Sequence, residues 1–165
     1  MEEPVCYQPI GIIHTPFSEM TGMPIQAVAA KGVVGRIELL PTFGEGLADI
    51  EGFSHLILLY HLHLMHDYKL TVIPYLDDQP HGIFATRSPK RPNPIGLSVV
   101  RLTGVERDKA ILHIEEIDVL DGTPLLDIKP FVPRFDNRET KLIGWFTDKV
   151  ERVEQVRADQ RFQQG

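Results

Sequence analysis

Apolar and β-branched residues fall along this chain in short runs punctuated by Gly and Pro. Residues 8–15 (QPIGIIHT) stop at Pro16. Residues 32–40 (GVVGRIELL) alternate around Arg36 and Glu38 and stop at Pro41. Both patterns predict strands. Residues 55–64 (HLILLYHLHL) are nearly continuous in apolar and aromatic side chains. That predicts a strand buried on both faces, with a buried helix as the alternative that periodicity leaves open. Further strands are predicted over 71–75, 82–86, 97–103 and 110–119. Helical spacing occurs at 46–50, as a short turn, and at 148–162. There Val150, Val153 and Val156 recur with charges between them, and Asp148 stands at the N-cap position. Residues 122–133 are Pro-rich yet apolar throughout, which predicts an ordered loop. Many short strands and little helix predict a mainly β fold, a barrel or sandwich, with a short C-terminal helix.

Composition bounds this picture. With 165 residues, 42% hydrophobic and 24% charged, the chain predicts one ordinary domain with a real core. The single cysteine, Cys6, excludes an intramolecular disulfide framework and a Cys-based zinc site. Seventeen Lys and Arg against 23 Asp and Glu give a formal net charge of −6, the wrong sign for a protein that coats nucleic acid. The acidic start and the lack of a long apolar run predict a soluble, cytoplasmic protein without a membrane segment.

Three segments carry candidate chemistry. Residues 82–100 run from a predicted strand into a loop holding Pro89, Pro92 and Pro94, then into another strand. The prolines restrict the loop's backbone. Arg87, Lys90, Arg91 and Asn93 stand within it and suit an anionic partner: a carboxylate, a phosphate or RNA. The alternative is a solvated turn whose prolines guard a sheet edge. Residues 118–133 open with the turn signal Asp121-Gly122, whose backbone groups suit an adenine edge or a carboxylate; a plain hairpin turn is the alternative. His55, His61 and His63 share a face of the predicted strand, with His66 and Asp67 beyond. Such a cluster suits zinc or another metal, but core or groove histidines are the better reading at this loose spacing, so no metal is predicted.

The run FATRSPKRPNPIGLS (84–98) closely resembles the signature of the TrmO/TsaA-like, or YaeB-like, family. Three further blocks match in order: IGIIHTPF (10–17), the stretch 47–63 centred on EGFSHL, and DGTPLLDIKP (121–130). The resemblance spans residues 7–147. It implies a small β-barrel domain over 1–147 followed by a helix or tail over 148–165. It further implies a homodimer that binds S-adenosylmethionine (SAM) and methylates the exocyclic nitrogen of threonylcarbamoyladenosine beside the anticodon of tRNA. By matched position, SAM contacts fall on Ala27, Val28, Ala29, His63, Leu64, Arg87, Leu97, Gly122, Thr123, Pro124 and Leu125. Lys90 or Arg91 is expected to hold the threonyl carboxylate and Asn93 a base edge. No general base is assigned. Methylation of a small molecule, or SAM binding by a regulator without catalysis, are the competing readings.

Overall fold

Strand residues that alternate between apolar and polar bury one face and leave the other outside. In the computed structural model, which describes residues 3–163, this pattern yields eight strands. They are β1 (Gly11–His14), β2 (Val34–Leu39), β3 (His55–His61), β4 (Thr71–Val72), β5 (His81–Gly82), β6 (Ile95–Glu106), β7 (Ile111–Glu115) and β8 (Thr123–Pro130). Six close into an antiparallel barrel in the order β1-β2-β7-β6-β3-β8, and β4 pairs with β5 outside it. Ile13, Ile37, Leu56, Leu58, Val100, Leu112, Ile114 and Leu125 fill the interior. Closure leaves the barrel without an unpaired edge.

Strand β3 alternates, so its sequence is not buried on both faces. Leu56, Leu58 and Tyr60 are buried. Ile57 and Leu59 face outward, half-buried, opposite Val99 and Leu97 of β6. Tyr60 lies across from Gly96, and a Cβ at Gly96 would stand 2.0 Å from the tyrosine ring. Only glycine admits that approach.

The strands expected over 71–75 and 110–119 stop short, at Val72 and Glu115, and three further elements differ in kind. Residues 122–133 form mostly strand, because Leu125 has a place in the core and β8 pairs with both β1 and β3. The strand leaves a turn in which Gly122 has φ of 76°. The strand expected over 82–86 ends at Gly82. Ile83–Ala85 is a 3₁₀ turn, closed by the Thr86 N–H and hydroxyl, which both donate to the Ile83 carbonyl. The helix expected over 148–162 is replaced by 3₁₀ turns at Val150–Arg152 and Gln160–Phe162. Here tertiary bonds win over a short helix that is marginal alone. Gly22 N–H donates to Ala158 O at 2.8 Å, Ala158 N–H donates to Met23 O at 2.9 Å, and Phe162 is buried beside Val72, Ile83 and Tyr75. This segment lies along the barrel as a strap. No helix among the described residues is long and apolar enough to cross a membrane.

Candidate functional site

The signature loop between β5 and β6 is braced from inside. Arg91 Nη1 donates to the carbonyls of Ile83 at 3.2 Å and Thr86 at 2.8 Å. Lys90 is buried, 3% exposed, and its ammonium pairs with the Asp67 carboxylate. Both cations therefore serve the loop's own shape, whereas Arg87 and Asn93 are exposed. Arg87 donates to Gln26 Oε1 at 2.8 Å and so ties the loop to the 3₁₀ turn Ala27–Ala29.

Two adjoining cavities open beside this loop and share Ile25 and Tyr75. The larger, about 620 Å3, is lined by Ala27, Val28, Arg87 and Leu97 together with Tyr75 and Trp145. The smaller, about 120 Å3, is lined by His63, Leu64 and Thr123 with Met20, Met23 and Met65. Seven residues expected at a SAM site thus converge from four separate segments. Ala29, Gly122, Pro124 and Leu125 line neither cavity, nor do Lys90, Arg91 and Asn93. Leu125 points into the core, and its carbonyl accepts from Ile10 N–H at 2.8 Å.

The histidines do not gather. His55 and His61 lie on the outward face of β3, and His63 lies beyond the strand against the smaller cavity. Burial, then the neighbouring His61, hold the His63 imidazole below its ordinary pKa, which favours the neutral ring at neutral pH. Among the described residues no three His, Cys, Asp or Glu side chains come together to hold a metal ion.

Several site groups were not expected from sequence. Tyr60, Ser98 and Asp118 form a hydrogen-bonded chain, buried at Tyr60 and Ser98 and half-buried at Asp118, with 2.8 Å between the Tyr60 and Ser98 hydroxyls and 2.6 Å from Ser98 Oγ to Asp118 Oδ1. A carboxylate only accepts, so Ser98 donates to Asp118 and Tyr60 donates to Ser98. Burial pushes the Asp118 carboxyl up to about 6, against the opposing pull of the Ser98 hydrogen bond. The same burial raises the Tyr60 phenol. No alternation announces Asp118: the parity of Leu112 and Ile114 breaks at Glu116, whose φ is 65°, and Ile117 and Val119 on either side of Asp118 are the buried residues beyond it. Trp145 comes from the 3₁₀ turn Gly144–Phe146, just before the strap. Its indole N–H donates to Ala85 O at 2.8 Å, and its ring stacks on His81 at 4.5 Å and on Phe146 at 3.8 Å. Ser88 is 6% exposed, lines the larger cavity, and its hydroxyl is a buried polar atom without a hydrogen-bond partner.

An orphaned hydroxyl costs stability unless something meets it. Together with a guanidinium and aromatic walls, it fits a ligand that carries a flat base and a few polar groups. The volume lies within the roughly 300–1,000 Å3 typical of small-molecule sites.

Comparison with known proteins agrees with this geometry. The family model described as the tRNA-methyltransferase O N-terminal domain matches residues 12–137. A probable S-adenosyl-L-methionine-binding protein of Pyrococcus abyssi is 58% identical over 96% of this chain and 85% of its own length. The tRNA (adenine(37)-N6)-methyltransferase of Escherichia coli is 37% identical over 77% of this chain, which spans 57% of that enzyme. The crystal structure of TrmO from Pseudomonas aeruginosa superposes with a TM-score of 0.72 at 39% identity, covering 87% of this chain and 63% of that one. By sequence and by barrel alike, the chain belongs to the tRNA-methyltransferase O N-terminal domain family.

Proposed function

We propose that this protein is a SAM-dependent methyltransferase that methylates the exocyclic nitrogen of threonylcarbamoyladenosine beside the tRNA anticodon. The convergence of Ala27, Val28, His63, Leu64, Arg87, Leu97 and Thr123 on two adjoining cavities carries this reading. SAM supplies a methyl group already activated on a sulfonium, so the protein's task is alignment. Arg87 and the Ser88 hydroxyl are among the polar contacts available to it in the larger cavity, with Gln26, His55, Ser98 and Glu116 also in its lining. Tyr75 and Trp145 offer aromatic faces for its base, and the neutral imidazole of His63 borders the smaller cavity. Lys90 and Arg91 hold the signature loop in shape, which leaves the exposed Asn93 to meet the modified nucleoside.

The relatives named for SAM binding or tRNA methylation support the same reading. The same reading includes a homodimer, which the apolar, outward-facing Ile57 and Leu59 of β3 support. The cytoplasm, where tRNA is modified, is its expected compartment.

Mass spectrometry of nucleosides from threonylcarbamoyl-modified tRNA incubated with SAM and the protein tests the proposal. The expected product is the N-methylated nucleoside. SAM binding by calorimetry without that product would overturn the tRNA assignment. It would favour a small-molecule acceptor, the reading that the net charge of −6 also favours.

A further inference from the structure

A methyl group cannot be added to an N–H nitrogen unless its proton leaves, and the residues that form the cavities bear on where it goes. His63 and Asp118 both line the smaller cavity. His63 is held as a weakened base by its burial and by His61. Asp118 differs in its setting. It joins β7 to the turn before β8, and Ser98, its hydrogen-bonded partner, lines the larger cavity. The carboxylate therefore sits at the partition between the two spaces. No cation forms an ion pair with it among the described residues; Arg87 acts on it only through its longer-range charge. A half-buried carboxylate at a cavity wall, held by a serine hydroxyl and with its second oxygen uncommitted to any cation, is a costly thing to keep for packing alone.

Resting on the methyltransferase reading, we infer that Asp118 is the proton acceptor of the reaction, with Ser98 and Tyr60 as positioning residues that aim it. The nitrogen lone pair attacks the methyl carbon, and the N–C bond forms as the C–S bond breaks. The bonding pair leaves on sulfur, which becomes a neutral thioether. The N–H proton passes to the Asp118 oxygen that Ser98 does not hold. Charge balances, because a sulfonium and a carboxylate become a thioether and a carboxylic acid. Protonated Asp118 keeps accepting from the Ser98 hydroxyl through its other oxygen, and it gives the proton to solvent once the product leaves.

The titratable groups that face Asp118 are Tyr60 from β3, Arg87 from the signature loop, and His63 beyond β3. Burial raises the Tyr60 phenol, so Tyr60 adds no titration near that of the carboxyl. An acceptor that titrates near the working pH is the kind that suits general-base catalysis.

The test pairs a resting-state measurement with kinetics. In protein labelled with 13C at the aspartate carboxyls and free of SAM, one resonance is expected to titrate near pH 6 and to vanish in Asp118→Asn. Single-turnover methylation is expected to show an acid limb at the same pH. In Asp118→Asn the rate should fall about 100-fold or more, within the 10²–10⁴ range of general-base effects. SAM affinity by calorimetry should stay within about threefold. In Ser98→Ala the limb should move to higher pH, because the hydrogen bond that holds the carboxylate charged is gone. Should Asp118→Asn fail to fold, Ser98→Ala decides: an unmoved limb overturns the inference. An Asp118→Asn variant that keeps its rate within threefold also overturns it, as does a limb that disappears in His63→Gln instead. A parent protein that binds SAM but methylates no nitrogen overturns the functional reading and this inference together, a result distinct from the others.

Discussion

Asp118 shows how a single side chain couples the fold's stability to the site it forms. Its carboxyl stands at about 6 in the folded protein against an ordinary 3.8. A carboxyl raised on folding binds its proton more tightly in the native state, so its stabilising contribution is complete below about pH 4 and is lost as pH rises through about 6. Chemical unfolding of the parent and of Asp118→Asn across pH 4–8 should therefore diverge. The parent loses stability relative to the variant over this window, by up to about 3 kcal/mol, and the difference is flat above it. A constant difference across the range would mean that the carboxyl is not held away from water. Lys90 makes the opposite point. Its sequence position in a run of cations suggested a surface contact, but its ammonium pairs with Asp67, and Arg91 spends its Nη1 on two carbonyls. Spacing in sequence reports that charges are close. It does not report which way a stiff loop turns them.

At the scale of elements, the pairing of β3 with β6 governs the site, because it sets Tyr60 over Gly96 and places Ser98 within reach of both Tyr60 and Asp118. Gly96→Ala puts a methyl where the ring lies. Relief requires Tyr60 to move, which breaks its bond to Ser98 as well as its packing. Overpacking of this kind costs about 1–3 kcal/mol, readable as a lowered midpoint in thermal unfolding. The double variant Gly96→Ala with Tyr60→Leu should recover part of that loss, since the colliding ring is gone. The barrel strands themselves were legible in the sequence, because each half-buried strand alternates. Alternation failed at β3, whose outer residues Ile57 and Leu59 are apolar for a reason outside the strand's own packing. It failed at β8, whose prolines read as loop although Pro124 and Pro130 fall toward its ends, where a missing N–H is tolerated. At 148–162 valine spacing spoke for a helix, but backbone bonds to Gly22 and Met23 override local propensity. Long-range contacts also bring Trp145 to the cavity, through Ala85 and His81, and no local pattern announces contacts of that kind.

For the whole molecule, charge decides how it meets a polyanion. The net charge is −6, and many cations already face carboxylates, among them Arg101 with Glu115, Arg107 with Glu51, Lys109 with Glu106 and Lys129 with Asp127. Arg134, Arg138 and Lys141 follow β8 as an exposed group, and no carboxylate pairs with them among the described residues. Among the described residues they belong, with Lys69 and Arg152, to the exposed cations that a phosphate backbone finds without a carboxylate partner. A tRNA held by so few contacts releases few counterions. With a slope of about −0.7 to −0.9 per neutralised phosphate, three or four contacts give log K against log salt a slope of about −3. Fluorescence anisotropy with labelled tRNA between about 50 and 200 mM salt measures it. Replacing Arg134 and Lys141 by Gln should flatten the slope by about 1.5 without changing SAM affinity. A slope steeper than about −7 would exceed what these few cations supply and would place the tRNA across two copies of the chain. Sedimentation of the complex at the same salt concentrations separates the two arrangements, since the first binds tRNA on one protomer and the second requires a pair.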